Sequence, residues 1–161
     1  MTGQDHAGLS LERIWAFDDE QLEAVHDYVQ WLFPTPEPSE HSADAPVLTP
    51  SDIEAFKSDP ESGRRFPASF RPMLHFFGLA MEEGPAGLII SPSARFERRR
   101  AQWSRTNHDN LRLTRILRSL AVFGQEPHAA ALLACLEQIA RRNPGMVAET
   151  TVAYWREAVR T

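Results

Sequence analysis

At 161 residues, with 42% hydrophobic and 24% charged side chains, the chain has enough material for one soluble globular domain with a real hydrophobic core. Its longest apolar stretches, "GPAGLII" and "HAAALLACL", fall well short of the roughly 18 residues a membrane span needs, and "MTGQDHAGLSLER" has neither the basic nor the apolar region of a secretory signal. The single cysteine, Cys135, excludes an intramolecular disulfide, and cytoplasm is the expected compartment.

In chain order, residues 1–8 are expected to be disordered and 9–17 to form a short amphipathic turn of helix. Asp18 is a suitable N-cap for a helix over 19–33 that stops before Pro34. Residues 34–48 form a Pro-rich connector. Thr49, Pro50 and Asp52 have the spacing of a capped helix start. The stretch from 59 to 84 has helical spacing, but Pro67 and Pro72 predict a kink or two pieces, with 70–80 the firmer part. "GPAGLIISPS" reads as a loop with at most one short strand. Helices follow over 93–103, 107–123 (Asn107 capping, Gly124 stopping), about 126–141 and about 149–160. The sum is an all-α single compact domain of six to seven helices.

Charge is unevenly spread. Residues 1–60 hold 13 acids against 2 bases, while residues 93–120 hold 8 arginines against 2 acids, and arginine outnumbers lysine 16 to 1. Within 19–33, Leu22, Val25, Val29, Leu32 and Phe33 share one stripe that must face a core. His26 and Gln30 border that stripe, and Asp27 and Trp31 lie opposite it. Within 107–123, Leu113, Ile116, Leu117, Leu120 and Phe123 form the buried face, and His108, Arg112, Arg115 and Ser119 form a polar ridge at its flank. Desolvated guanidiniums need partners, so Arg112 or Arg115 is expected to pair with Asp27 or a neighbouring acid of the N-terminal helix, with Asn107, His108 and Gln30 adding hydrogen bonds. Arg98, Arg99 and Arg100 point in different helical directions and cannot all meet one ligand.

The spacing contains no phosphate loop, no HxxxH or HExxH metal pair and no GxSxG elbow, so no metal, no cofactor and no catalytic residue is assigned. Three readings remain. The first is a non-catalytic helical binding domain for a peptide or protein segment, with His26, Asp27, Tyr28, Gln30, Trp31, Asn107, His108, Asn110, Arg112 and Arg115 as the binding residues. The second is an enzyme of unknown type using His26, Asp27 and His108. The third is nucleic-acid binding through the Arg-rich 95–118 region, against which the acidic total charge argues.

Two motifs resemble a known family. "HDYVQWLFP" is similar to HxYIQWLFP through His26, Tyr28, Val29, Gln30, Trp31, Leu32, Phe33 and Pro34. "NHDNLRLTRILRSL" is similar to NHxNLRITRILKSL through Asn107, His108 and Asn110 to Leu120. Both belong to the conserved N-terminal domain of the opioid growth factor receptor, also called the zeta-type opioid receptor. "LTPSDIEAFKSD" also looks like the family segment between them, and the resemblance covers roughly residues 12–140. It implies an α-helical fold and an enkephalin-binding, receptor-like activity associated in vertebrates with the nucleus and nuclear membrane. It implies no catalytic residue. The acidic repeat tail and the Lys/Arg cluster of those proteins have no counterpart in these 161 residues.

Overall fold

The structure, a computed structural model, describes residues 11–25, 28–40, 42–85, 87–103 and 107–160. Chain contacts divide it into two units, Met1–Pro72 and Met73–Thr161.

The first unit opens with α1 (Leu11–Trp15) and α2 (Asp19–Ala24). Asp18 caps α2 as expected: its carboxylate accepts the Gln21 backbone N–H at 2.9 Å, and the Gln21 side chain accepts the Asp18 N–H at 3.0 Å. The expected single helix over 19–33 is corrected here. Val25 adopts extended backbone (φ −94°, ψ 112°) and ends α2, and a second helix, α3, runs over Tyr28–Leu32. One continuous rod would bury only one stripe. The break lets Tyr28, Val29, Gln30 and Leu32 all bury within five residues, so packing outweighs helical continuity.

The described residues of the 34–48 connector form no helix, as expected, and the connector folds back on itself. Thr35 and Val47 form an isolated parallel bridge, and the Leu48 N–H donates to the Thr35 carbonyl at 3.0 Å. It leads into α4 (Pro50–Ser58), whose start matches the sequence reading. The Thr49 hydroxyl accepts the Asp52 N–H at 3.2 Å, and Asp52 Oδ2 accepts the Thr49 N–H at 2.9 Å and its hydroxyl at 2.7 Å. These bonds, the hydroxyl's first, hold the Asp52 carboxyl below its ordinary value. Because the folded-state value is depressed, the contribution is present above the unfolded value, about pH 4, and is lost as pH falls through the folded one. A carboxyl-detected NMR titration should place the Asp52 midpoint below that of an unfolded aspartate, and Thr49→Ala should return it most of the way.

The long helix α5 (Pro60–Phe76) is also a correction. It runs without interruption through Pro67 and Pro72, and the unit boundary falls inside it, after Pro72. Each proline deletes one backbone bond at a cost of about 3 kcal/mol. Burial of Phe66, Phe70, Met73 and Leu74 along the helix offsets that loss. In the first unit Phe66 contacts Phe33 edge-on at 5.8 Å, Phe56 at 6.4 Å and Phe70 at 6.2 Å, while Trp15 Nε1 donates to Ser69 Oγ at 2.9 Å.

The second unit carries what the sequence reading missed. The helix does not persist to residue 80. Gly78 turns the chain at φ +76°, and an antiparallel hairpin follows, β1 (Leu79–Gly84) with β2 (Gly87–Pro92), pairing Leu79 with Pro92 and Gly84 with Gly87. The alternation of "LAMEEG" and "GLIISP" puts Leu79, Met81 and Ile90 on the buried face. The fold is therefore mostly helical with one small sheet, not purely all-α, and nine helices lie among the described residues rather than six or seven.

After the hairpin come α6 (Phe96–Trp103), α7 (Asn107–Val122), α8 (Glu126–Arg142) and α9 (Glu149–Ala158). Helix α7 packs against α6, α8 and α9, and β2 packs against α8. Gly124 ends α7 as expected: at φ +70° it donates to the Ala121 carbonyl at 3.1 Å, and Gln125 donates to Leu120 at 2.8 Å, the paired bonds of a Schellman cap. Ala129, Leu132, Cys135, Leu136 and Ile139 line the inner stripe of α8. Burial pushes the Cys135 thiol up to about 11, which leaves it unreactive at neutral pH, as its apolar setting implied.

Candidate functional site

Of the ten residues expected to bind, His26 and Asp27 lie outside the described residues, as does the side chain of Asn107. The expectation that Asp27 pairs with an arginine, and the His26, Asp27 and His108 cluster, therefore fall outside what the structure describes.

On α3, Tyr28 is fully buried and meets Phe17 edge-on at 6.3 Å. Gln30 is buried, with Oε1 shielded and without a hydrogen-bond partner. Trp31 is half-buried, and its shielded Nε1 likewise has none. The two aromatics of this helix are thus mostly turned inward.

On α7 the expected buried face is present: Leu113, Ile116, Leu117, Leu120 and Phe123 are all buried. The expected polar ridge divides. His108 is exposed and Arg115 half-buried, but Arg112 is only 8% exposed and Ser119 fully buried. Arg112 NH1 pairs with Asp109 Oδ1 at 3.4 Å, and both side chains are more than nine-tenths buried. Its guanidinium also lies 5.6 Å from the centre of the Phe76 ring, over which Arg99 sits at 4.2 Å. Asp109 is the residue that sequence reasoning overlooked. The signal was present, since an acid three positions before an arginine shares its helix face.

Asn110 ties α7 to α9. Its backbone carbonyl accepts Trp155 Nε1 at 3.3 Å and Thr114 Oγ1 at 2.8 Å, while its buried Oδ1 has no hydrogen-bond partner. Three further arginines of 95–118 serve the fold. Arg95 meets His75 at 2.5 Å, Arg100 meets Glu97 at 3.4 Å, and Arg118 NH1 donates to the Arg160 carbonyl at 3.0 Å.

The outward stripe of α7 is the other feature missed. His108, Leu111, Arg115 and Arg118 fall at i, i+3, i+7 and i+10 and are exposed or half-buried, with Leu111 at 47%. Across the α7–α9 contact, Tyr154 is 66% exposed.

These features define a class: a mostly helical domain in which part of the polar motif, Gln30, Asp109, Asn110, Arg112 and Ser119, is folded inward. Among the described residues no group of acids, histidines or cysteines could hold a metal, and no helix is long and apolar enough to cross a membrane. The family described as "Opioid growth factor receptor (OGFr) conserved region" matches residues 6–161. The chain is 34% identical over 148 residues to the opioid growth factor receptor of Homo sapiens, covering 91% of this chain and 22% of that protein. It is 36% identical over 122 residues to opioid growth factor receptor-like protein 1 of Xenopus tropicalis, covering 74% and 23%. It is 34% identical over 129 residues to the Mus musculus opioid growth factor receptor-like protein 1, covering 78% and 27%. The chain belongs to the opioid growth factor receptor conserved-region family, and it spans 22% to 27% of the length of these relatives. No solved structure matches it.

Proposed function

We propose that this chain is a non-catalytic helical binding domain that takes a peptide or a protein segment. The observation that carries this reading is the Asp109–Arg112 pair, with side chains 4% and 8% exposed. Two charged groups of the second motif, Asp109 and Arg112, are neutralised inside the helix packing, where they cannot face a substrate. What α7 offers outward is His108, Leu111, Arg115 and Arg118, a mixed apolar and cationic surface suited to recognition. The relatives support the same reading, because the proteins of Homo sapiens and Mus musculus carry the name of a receptor for an opioid growth factor. An opioid pentapeptide is accordingly one ligand to test.

Titrating the purified chain with a peptide panel that includes enkephalin, while following tryptophan fluorescence, should give a saturable change for at least one member. A flat response from every peptide at concentrations up to about 1 mM, the weak end of specific recognition, would remove the reading.

A further inference from the structure

The end of α5 and the start of α6 are tied together by a series of short bonds. The Gly78 N–H donates to the His75 carbonyl at 3.0 Å, and the Ser93 N–H and hydroxyl both donate to the Gly78 carbonyl at 2.9 Å. The Phe96 N–H donates to the Ser93 carbonyl at 3.0 Å, and the Arg98 and Arg99 N–H groups donate to the Arg95 carbonyl at 3.1 and 3.2 Å. One bond between side chains spans the same gap: Arg95 NH1 meets His75 Nε2 at 2.5 Å. Of these bonds, it alone contains a group of the kind that changes charge near neutral pH.

A guanidinium only donates, and it keeps its charge throughout the physiological range. His75 Nε2 must therefore accept, which requires a neutral ring with its proton on Nδ1. The residue is exposed, so solvent protons reach it. A proton from solvent that binds Nε2 takes up the lone pair that receives the Arg95 N–H, and it sets a second cation against the first. The surrounding charges add to this. Arg99 lies over the neighbouring Phe76 ring at 4.2 Å and Arg112 at 5.6 Å, and Arg71 stands one turn before His75 on α5. The acids of α6 and α7 in this region are committed: Glu97 pairs with Arg100 and Asp109 with Arg112, each at 3.4 Å. No carboxylate among the described residues, Glu82 and Glu83 of β1 included, forms an ion pair with His75. We propose that the His75–Arg95 contact is an acid-released latch, closed while the His75 ring is neutral and opened by its protonation, which frees the Arg95 side chain from α5 and loosens the first turn of α6.

Amide hydrogen exchange on the full chain tests the latch, with every protection factor corrected for the intrinsic effect of pH. Arg98 and Arg99 report on it, because their amides bond to the Arg95 carbonyl. The Leu136 amide, in the buried stripe of α8, follows global stability and serves as the reference. Relative to Leu136, protection at Arg98 and Arg99 should fall about threefold between about pH 7.5 and about pH 5, the size expected of one solvent-accessible charged contact. His75→Gln, which can accept but does not titrate in this range, should keep the higher protection at both pH values. His75→Lys, which cannot accept at either, should show the lower protection at both. Both variants alter an exposed position, and matching circular dichroism spectra confirm that each has folded.

Protection at Arg98 and Arg99 that tracks Leu136 at both pH values overturns the latch. An equal fall in His75→Gln overturns it as well, because the pH response would then come from another group.

Discussion

Replacing Arg112 by Met is expected to destabilise the second unit by about 3–5 kcal/mol, although the new side chain fills similar space. The loss comes from Asp109. With its carboxylate side chain only 4% exposed, it would remain in low dielectric without the guanidinium now 3.4 Å away. A smaller part, about 0.5–1 kcal/mol, is the attraction between that cation and the Phe76 ring at 5.6 Å. The double replacement Asp109→Leu with Arg112→Met should recover most of the loss, because removing both charges also removes the desolvation cost. A double-mutant cycle in urea measures the coupling directly. A single Arg112→Met variant within about 1 kcal/mol of the parent would show that the pair is not the internal neutralisation on which the non-catalytic reading depends.

Gly78→Ala should be nearly as severe, at about 3 kcal/mol or more. The left-handed backbone, φ +76°, costs an alanine about 1–2 kcal/mol. The added methyl would also stand 2.8 Å from Phe96 Cα, 3.1 Å from Phe96 N and 3.3 Å from Arg95 C, all backbone atoms that cannot rotate away. This close approach is built by Ser93, whose N–H and hydroxyl both donate to the Gly78 carbonyl at 2.9 Å. It seats Phe96 against Trp103 at 5.5 Å, and Trp103 Nε1 then donates to the Phe77 carbonyl at 3.2 Å. Gly145→Ala is the control: φ is +82° and nothing lies within 4 Å, so only the backbone penalty applies. Urea midpoints for the two variants should separate clearly. Equal midpoints would mean that the α6 approach yields without cost.

What was legible in the sequence was local. The Asp18–Gln21 and Thr49–Asp52 caps, the Gly124 stop and the apolar face of α7 each depend on residues within one or two turns of one another, and each stands in the structure as expected. The Asp109–Arg112 pair was equally local, three positions apart on one helix face, and the sequence analysis looked for the partner of Arg112 only on the N-terminal helix. The break at Val25, the persistence of α5 through two prolines and the hairpin were not legible. In each case packing by residues far along the chain overrides the propensity of the segment itself. The open stripe of α7 followed the same logic: helical spacing puts Arg112 and Leu111 on different sides, but only the neighbours of α7 decide which side meets water.

By itself, the sequence determined membership of the family, the helical majority and the positions of the helix caps, because motif identity and capping bonds involve residues close together in the chain. Only the tertiary structure decided that Asp109, Asn110, Arg112 and Ser119 turn inward while His108 and Leu111 meet water. Burial is a property of what surrounds a side chain, and the surroundings of α7 come from residues up to 45 positions away.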